Sequence, residues 1–252
     1  MSDKSFDENV AELQKLIDSS CNIVFFGGAG VSTESGIPDF RSTDGLYNQK
    51  WQYPPEQIIS RSFFDAKPAE FYRFYREKLI IKGIKPNPAH LKLAELEMAG
   101  KLRAVITQNI DGLHQAAGSR NVFELHGSTL RNFCMNCHAF YDIDFITASA
   151  GSPDGIPHCT KCGGIVKPDV VLYEECLNEA CMEGAVRAIR NADMLIIGGT
   201  SLSVYPAAGL IDYYSGNKLV LINKSPTSGD LAARLSIHDS IGRILGAIKV
   251  NK

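Results

Sequence analysis

The stretch that most constrains the fold of this 252-residue chain is residues 25–41, which read FFGGAGVSTESGIPDFR. An apolar segment at residues 23–26 leads directly into Gly27, Gly28 and Gly30. Such a run ending at glycines is typical of a buried parallel strand followed by a tight turn, because glycine accepts positive φ and lets a ligand approach the backbone. We therefore predict an α/β fold with a ligand crevice at this turn.

The residues after the glycines favour a nucleotide as the ligand. Ser32 and Thr33 are predicted to cap a helix, and the free N–H groups at a helix start suit the pyrophosphate of a dinucleotide. The usual dinucleotide fingerprint has a third glycine where Thr33 stands, so an ordinary strand-to-helix turn remains an alternative. Ile37 and Pro38 disfavour a continued helix, which predicts a loop over the crevice.

Charge and hydropathy exclude several classes of protein. Lysine and arginine number 26 against 28 aspartate and glutamate residues, a net charge of −2, so no basic nucleic-acid-binding surface is expected. No apolar run approaches the ~18 residues of a membrane span, and the polar start MSDKSFDENV is unlike a secretory signal. We expect a cytoplasmic protein with reduced cysteines, without a membrane or nucleic-acid partner, built as one domain or as a large domain with a smaller one.

Further buried strands are predicted at residues 102–107, 122–125, 193–197 and 218–222, separated by helical segments. The carboxyl ends of parallel strands share one edge of a sheet, where ligands bind. The candidate site residues that follow these strands are Gln108, Asn109, Asp111, His126, Thr200, Ser201, Asn223 and Lys224. His126 is a candidate general base because imidazole titrates near neutral pH, although a lone histidine is often structural. Helix capping is the alternative role for Asn109 and Asp111.

Two helices lie between the first strands. Residues 63–81 are predicted to form a single helix rich in aromatic side chains, which favours a core position over the floor of a substrate channel. The next helix is predicted to begin at Pro88, with Asn87 as the N-cap, and to stop at Gly100.

Four cysteines form two C-x-x-C pairs, Cys134 with Cys137 and Cys159 with Cys162. This spacing predicts a tetrahedral zinc site with four thiolate ligands. A site filled by four protein ligands leaves no position for water, so the zinc would be structural. The adjacent His138 and His158 are alternative ligands, and disulfides are an alternative that a reducing compartment disfavours.

Taken together, these motifs resemble those of the sirtuins, the NAD-dependent protein lysine deacylases, and most closely the bacterial deacetylases. The matching segments are GAGVSTESGIPDFR at residues 28–41, TQNIDGLH at 107–114, ELHG at 124–127, the two C-x-x-C pairs, GTSLSVYPA at 199–207 and IN at 222–223.

The resemblance implies a Rossmann-like, doubly wound parallel sheet with an inserted small zinc-ribbon domain. Residues 1–130 and 167–252 would form the NAD-binding domain and residues 131–166 the zinc-ribbon module, with part of 40–85 as a further candidate for the small domain. NAD and the acyl-lysine would enter the cleft between the domains from opposite sides.

The resemblance also implies a role for each candidate residue. His126 and Asn109 would be catalytic. The phosphate and nicotinamide-ribose region would be lined by Ala29, Thr33, Phe40 and Arg41. The nicotinamide pocket would comprise Gln108, Asn109, Ile110 and Asp111, with Asp111 binding the carboxamide. The adenosine half would contact Thr200, Ser201, Asn223, Lys224 and Ile241. The peptide would dock by strand addition on Val170, Val171 and Tyr173.

The family's mechanism implies a specific reaction. The acyl oxygen attacks the ribose C1′ as nicotinamide leaves, and His126 as general base then activates a ribose hydroxyl. The products are nicotinamide, free lysine and O-acyl-ADP-ribose. The implied partners are acetyl-lysine proteins or peptides, with NAD as co-substrate and one structural zinc ion.

Two positions depart from the family's pattern. Glu174 stands where a V-x-F-G-E type strand has glycine, so peptide docking is expected to be altered. Members that remove acidic acyl groups carry Tyr-x-x-Arg in the aromatic helix. In this chain Tyr72 stands at the tyrosine position, and Tyr75 stands at the position of the arginine. Arg76 is one residue further on and would point about 100° away on a helix. We therefore expect acetyl or another neutral acyl group as the substrate.

Two other functions remain as alternatives. An NAD-dependent protein ADP-ribosyltransferase would use the same pocket with a different acceptor. A non-catalytic module that binds NAD or acyl-lysine would not need His126 or Asn109, and both are present. A Rossmann dehydrogenase is disfavoured, because Asp39 and Asp44 lie in loop sequence and not at the end of a second strand.

Overall fold

Strands and helices alternate along the chain in a computed structural model that describes residues 4–40, 45–48, 51–227 and 229–250. The strands are β1 (Ile23–Gly27), β2 (Leu102–Thr107), β3 (Val122–Glu124), β4 (Gly127–Cys134), β5 (Phe140–Tyr141), β6 (Val166–Val170), β7 (Met194–Gly198), β8 (Leu219–Ile222) and β9 (Leu235–Ile237). The helices are α1 (Phe6–Asp18), α2 (Pro55–Ile58), α3 (Arg61–Ala66), α4 (Pro68–Phe74), α5 (Pro88–Met98), α6 (Leu113–Ala116), α7 (Ile143–Ala148), α8 (Glu179–Arg190) and α9 (Ile241–Gly246).

The larger sheet is parallel and has the strand order β3-β2-β1-β7-β8-β9. Strand β1 lies in its interior and is buried on both faces, which explains its continuous apolar sequence. Ile23 and Phe25 pack into the core that includes α1, α5 and α9, whereas Val24 and Phe26 pack on the opposite face with α8. Helices therefore cover both faces, which confirms the predicted doubly wound, Rossmann-like sheet.

The smaller sheet is antiparallel, with the order β5-β4-β6. Its core combines buried residues of α2, α3 and α4 with Cys134, Cys159 and Val166. Residues before and after β2 thus contribute to this core. The assignment of part of 40–85 to the small domain stays a prediction. The boundaries at 131 and 166 stay a prediction, and both β4 and β6 extend a few residues beyond them.

Helix α5 confirms the predicted start at Asn87-Pro88. The Asn87 side-chain oxygen accepts a hydrogen bond from the Ala89 N–H at 2.9 Å, and Gly100 after the helix has φ +73. The prediction of a single helix over residues 63–81 is wrong. Pro68 lacks an N–H and its ring would clash with the preceding turn, so the chain breaks into α3, α4 and a π-helical turn, Tyr75–Leu79.

Among the described residues, no helix combines the length and apolar character needed to cross a membrane.

Candidate active site

Two glycine-containing loops meet at the carboxyl edge of the parallel sheet. Gly27 and Gly198 are register partners at the ends of β1 and β7, and the Gly30 N–H donates to the Gly199 carbonyl at 2.8 Å. Gly199 has φ +59, and a Cβ there would lie 2.3 Å from the Val31 nitrogen. The loops therefore touch through their backbones, and this contact requires glycine at both Gly30 and Gly199.

The prediction of a helix after these glycines, capped by Ser32 and Thr33, is wrong. The segment forms two short 3-10 turns, Ala29–Val31 and Thr33–Ser35, and neither has a side-chain cap. The Thr33 hydroxyl instead donates to the Gly30 carbonyl at 3.0 Å. Ala29 and Thr33 are half-buried at this edge.

Distant residues fix the position of this loop. The Asn87 side-chain amide donates to the Val31 carbonyl at 2.7 Å and to the Ser35 hydroxyl at 3.0 Å. The Glu34 carboxylate accepts a hydrogen bond of 2.7 Å from the Gly242 N–H at the start of α9. Neither contact has a local sequence signal, because the partners are far apart along the chain.

A chain of polar side chains connects the β1 and β2 loops. The Asn109 side-chain amide donates to the Ser32 hydroxyl at 3.0 Å, and that hydroxyl donates to the Asp111 carboxylate at 2.6 Å. The second Asp111 oxygen accepts from the Leu113 N–H at 2.9 Å. Ser32 and Asn109 are buried and Asp111 is half-buried. The structure thus brings the predicted pair Asn109 and Asp111 together through Ser32, whose part in the site was not predicted.

A second polar group connects the β2, β7 and β8 ends. The Gln108 side-chain amide donates to the Thr200 hydroxyl at 3.0 Å. Asn223 accepts from the Thr200 N–H at 3.0 Å and donates to the Thr200 carbonyl at 2.9 Å. Asn223 therefore holds the backbone of the β7 loop. Ser201 and Lys224, which follow Thr200 and Asn223 directly, are exposed, and the Ser201 hydroxyl shares a 2.7 Å hydrogen bond with that of Ser203.

Ile241 is placed differently from its neighbours in the predicted adenosine site. Its side chain is 3 % exposed and packs in the core, and its Cδ1 lies 2.2 Å from where a Cβ of Gly198 would stand. Any ligand contact from Ile241 would have to come from its backbone.

His126 follows β3 and lies beside the β2 loop. Its Nδ1 is 2.9 Å from the Gln108 carbonyl oxygen, and since a carbonyl can only accept, Nδ1 carries the proton. In the neutral ring Nε2 then has a free lone pair. Burial lowers the pKa of His126 below its ordinary value of 6.5 and outweighs the opposing effect of the Gln108 carbonyl. The ring is therefore neutral at pH 7 and can accept a proton.

A pair of buried histidines packs behind the Asp111 loop. The rings of His90 and His114 are 4.7 Å apart, and both are at most 1 % exposed. Among the described residues, no hydrogen-bond partner reaches His90 Nε2 or either nitrogen of His114. Burial lowers the pKa of His90 to about 4 and that of His114 to about 3, so both are neutral.

Phe40 and Ile110 form an apolar margin of the site. Both are half-buried against the core of the small unit, and the Phe40 ring lies 5.5 Å from that of Tyr47. The Ile110 carbonyl accepts hydrogen bonds from the N–H and the hydroxyl of Thr129 at 2.9 and 3.1 Å. Arg41, predicted to contact the cofactor, lies outside the described residues.

The predicted peptide-docking segment is only partly a strand. Strand β6 ends at Val170, and the Val171 N–H donates to the His126 carbonyl at 3.0 Å. Tyr173 makes an isolated parallel bridge to Ser60, and its exposed side chain shares a 2.7 Å hydrogen bond with the Tyr47 hydroxyl. Within the described part of the chain, the Val171 carbonyl has no hydrogen-bond partner. The segment thus runs next to the candidate base with one carbonyl available.

Tyr72 and Tyr75, which stand at the two positions of the Tyr-x-x-Arg pair, are both buried. The Tyr72 hydroxyl donates to the Val166 carbonyl at 2.5 Å, and Tyr75 stacks on Phe71 with 5.6 Å between ring centroids. Arg76 turns to the zinc module, where it donates to the Ser149 hydroxyl at 3.0 Å. This contact is consistent with the prediction that Arg76 points away from position 75 and does not substitute for the arginine missing there.

The four predicted metal ligands converge. The sulfur atoms of Cys134, Cys137, Cys159 and Cys162 all lie within 4.8 Å of one another. Tetrahedral zinc with 2.3 Å bonds to sulfur requires sulfur atoms about 3.8 Å apart, so this group fits a zinc ion. The Tyr141 hydroxyl donates to Cys159 at 3.1 Å and orients it. The histidines His138 and His158 are not part of the cluster.

Comparisons with known proteins agree with this geometry. The family model described as "Sir2 family" matches residues 28–206. An NAD-dependent protein deacetylase of Clostridium perfringens is 62% identical over 245 residues, which cover 96% of this chain and 99% of the relative.

Solved structures are similar over the same range. One, of Sir2 with a deacetylated p53 peptide and 3′-O-acetyl-ADP-ribose, has a TM-score of 0.86 at 37% identity and covers 94% of this chain and 96% of its own. Another, of Sir2 with a p53 peptide and NAD+, has a TM-score of 0.83 at 39% identity and covers 93% and 94%. The similarity therefore includes both sheets.

Proposed function

Because this chain belongs to the Sir2 family, we propose that it is an NAD-dependent protein lysine deacetylase that removes acetyl or other neutral acyl groups. The observation that carries the proposal is the meeting of a neutral His126, the Asn109–Ser32–Asp111 chain and the paired glycine loops at one sheet edge. When bound, NAD supplies an electrophilic ribose carbon and nicotinamide as the leaving group.

The hydrogen-bonded side chains of Asn109, Ser32 and Asp111 support the assignment of a nicotinamide pocket. Each Asp111 oxygen accepts one internal hydrogen bond and retains a lone pair, which suits the N–H groups of a carboxamide. Asn109 is fixed by its bond to Ser32, so its position needs no reorganisation when a ligand binds. Ile110 and Phe40 would exclude water from the reacting centre.

The phosphate and adenosine contacts would lie along the carboxyl edge of the parallel sheet. Ala29 and Thr33, with Arg41, would lie along the phosphates on the open backbone of the glycine loops. Gln108, Thr200 and Asn223 form one hydrogen-bonded group and would hold the adenosine half together with Ser201, Lys224 and the backbone of Ile241.

His126 would act as the general base. The Gln108 carbonyl keeps the ring proton on Nδ1, so Nε2 can take a proton from a ribose hydroxyl. The lowered pKa of His126 keeps the imidazole unprotonated at neutral pH. Asn109, one residue after Gln108, would be the second catalytic residue, held in place by its hydrogen bond to Ser32.

An acetyl-lysine peptide would bind along Val170, Val171 and Tyr173. The Val171 carbonyl, which has no hydrogen-bond partner among the described residues, can accept a hydrogen bond from the peptide. The Val171 N–H bond to the His126 carbonyl places this contact beside the base. Burial of Tyr75 in place of an arginine leaves no cation from this position for an acidic acyl group. This supports a neutral acyl substrate.

The four cysteines would hold a structural zinc ion that fastens the small unit and takes no part in catalysis. All four must be reduced thiolates to bind zinc, which supports a cytoplasmic location.

The proposal is tested by nicotinamide release from NAD with an acetyl-lysine peptide and with the same peptide unmodified. We expect continuing release only with the acetylated peptide. For His126→Ala, release should stop at or below one nicotinamide per enzyme, because the base acts after nicotinamide has left. Equal release with both peptides, or transfer of label from NAD to protein, would contradict deacetylation and favour ADP-ribosyl transfer. Absence of any turnover would leave only a binding function.

A further inference from the structure

Glu174, directly after the peptide-docking residues, has an unusual backbone conformation. Its φ is +76, in the left-handed region that L-residues other than asparagine and aspartate rarely adopt. A non-glycine residue persists in this conformation only where its surroundings hold it there. The contacts of its side chain therefore need an explanation.

Both carboxylate oxygens of Glu174 bind one residue of helix α3. One oxygen accepts from the Ser62 N–H at 2.8 Å and the other from the Ser62 hydroxyl at 2.9 Å. Hydrogen bonds to an ionised acceptor are stronger than neutral ones. The side chain thus fastens the end of the docking segment to the start of α3.

The neighbouring backbone is fastened to the same region. The Tyr173 N–H donates to the Ile59 carbonyl, and the Arg61 N–H donates to the Tyr173 carbonyl, both at 3.0 Å. The Leu172 N–H is bound at 2.9 Å by the Glu175 carboxylate, which also pairs with Arg61 at 3.1 Å. The docking segment is therefore held against the start of α3, and in the part of the chain that the structure describes the Val171 carbonyl has no hydrogen-bond partner.

We propose that Glu174 is a positioning residue for the peptide: its bonds to Ser62 hold the docking segment in the shape that receives a substrate strand. This inference rests on the proposed function. A segment that is already ordered does not have to be ordered when the peptide binds, so the Glu174–Ser62 contact strengthens peptide binding without touching the peptide. NAD binding and the chemical step would not depend on it.

Two substitutions at one position separate this role from backbone strain. Glu174→Ala removes the contact and keeps the strain, whereas Glu174→Gly removes both. We expect KM for an acetyl-lysine peptide to rise about three- to ten-fold in both variants, the effect of losing a net favourable hydrogen-bonded contact. kcat and KM for NAD should stay within two-fold. Thermal stability should be lower for Glu174→Ala than for Glu174→Gly.

Variants elsewhere test whether the contact itself acts. Ser62→Ala removes one of the two hydrogen bonds and should raise the peptide KM by less than Glu174→Ala does. Glu183→Ala, at an exposed glutamate of α8 with no ion pair among the described residues, is the matched control and should change nothing. Anisotropy of a labelled acetyl-lysine peptide, measured without NAD, should show the same weakening as KM.

The outcomes are distinct. If Glu174→Gly has the wild-type peptide KM, the contact with Ser62 is not needed once the backbone strain is removed. This result would overturn the inference. An equal rise in KM for NAD would also overturn it, because that would indicate a general structural defect. A wild-type protein that releases no nicotinamide with acetylated peptide would overturn the proposed function, and this inference with it.

Discussion

A methyl group on Gly30 should damage the candidate cofactor site by sterics alone. Its Cβ would lie 2.8 Å from the Gly199 Cα and 2.9 and 3.0 Å from the oxygen and carbon of the Gly199 carbonyl. Carbon atoms normally pack at about 3.5–4.0 Å, and these are backbone atoms that cannot rotate away. Gly30 has no positive φ, so backbone strain does not contribute. The two glycine loops must therefore move apart.

The expected loss of unfolding free energy follows from that movement. Overpacking costs about 1–3 kcal/mol, and lengthening the 2.8 Å bond from the Gly30 N–H to Gly199 adds about 1 kcal/mol. We expect Gly30→Ala to lose about 2–4 kcal/mol of unfolding free energy. Because the displaced loops carry the proposed phosphate contacts, KM for NAD should rise by about ten-fold or more. Peptide binding without NAD and the zinc content should not change.

Urea unfolding and steady-state kinetics measure both effects. Gly151→Ala is the matched control, since Gly151 has no atom within 4 Å of its Cβ position and no positive φ. If Gly30→Ala stays within about 0.5 kcal/mol of the wild type with an unchanged KM for NAD, the loop contact does not shape the site.

Four further results are expected. His126→Asn should lower kcat by roughly 10²- to 10⁴-fold, and the wild-type kcat/KM should rise with pH through a midpoint below 6.5, because burial lowers the pKa of the base; a pH–rate profile measures this. His90 and His114 have pKa values of about 4 and about 3 when folded. Between pH 6.5 and these values the unfolded chain therefore binds more protons than the folded protein does. Stability should therefore fall with decreasing pH across this window, by up to about 1.4 kcal/mol per pH unit for each histidine, and His114→Leu should show a shallower slope in urea midpoints at pH 7 and 5. Glu34→Ala removes the bond to Gly242 and should raise KM for NAD by about two- to ten-fold while leaving the peptide KM unchanged. Removal of zinc by a chelator should unfold the small unit, which loss of near-UV circular dichroism and metal analysis would record together.

Local signals in the sequence predicted much of the fold. The largely apolar segment at residues 102–107 coincides with β2, in which every residue but Arg103 is buried, as expected for an interior strand of a parallel sheet. Asn87 and Pro88 marked the start of α5 through capping geometry that depends on neighbouring residues only. The cysteine spacing likewise identified the ligands of the metal cluster.

Contacts between distant residues could not be predicted in this way. Ser32 joins Asn109 and Asp111 across 77 and 79 positions, and Glu34 reaches Gly242 across 208. No periodicity or local propensity reports such pairings, because they depend on how loops meet at the sheet edge. The break at Pro68 is different: the proline was a sequence signal that the aromatic pattern outweighed in the prediction of one long helix.

Quantitative analysis of all products in a single quenched reaction tests the central claim most directly. With NAD and an acetyl-lysine peptide, mass spectrometry should find nicotinamide, deacetylated peptide and O-acetyl-ADP-ribose in a one-to-one-to-one ratio. With His126→Ala it should find no deacetylated peptide, no O-acetyl-ADP-ribose and at most one nicotinamide per enzyme. Deacetylated peptide formed without NAD, or nicotinamide formed with ADP-ribose attached to protein and no free lysine, would contradict the account.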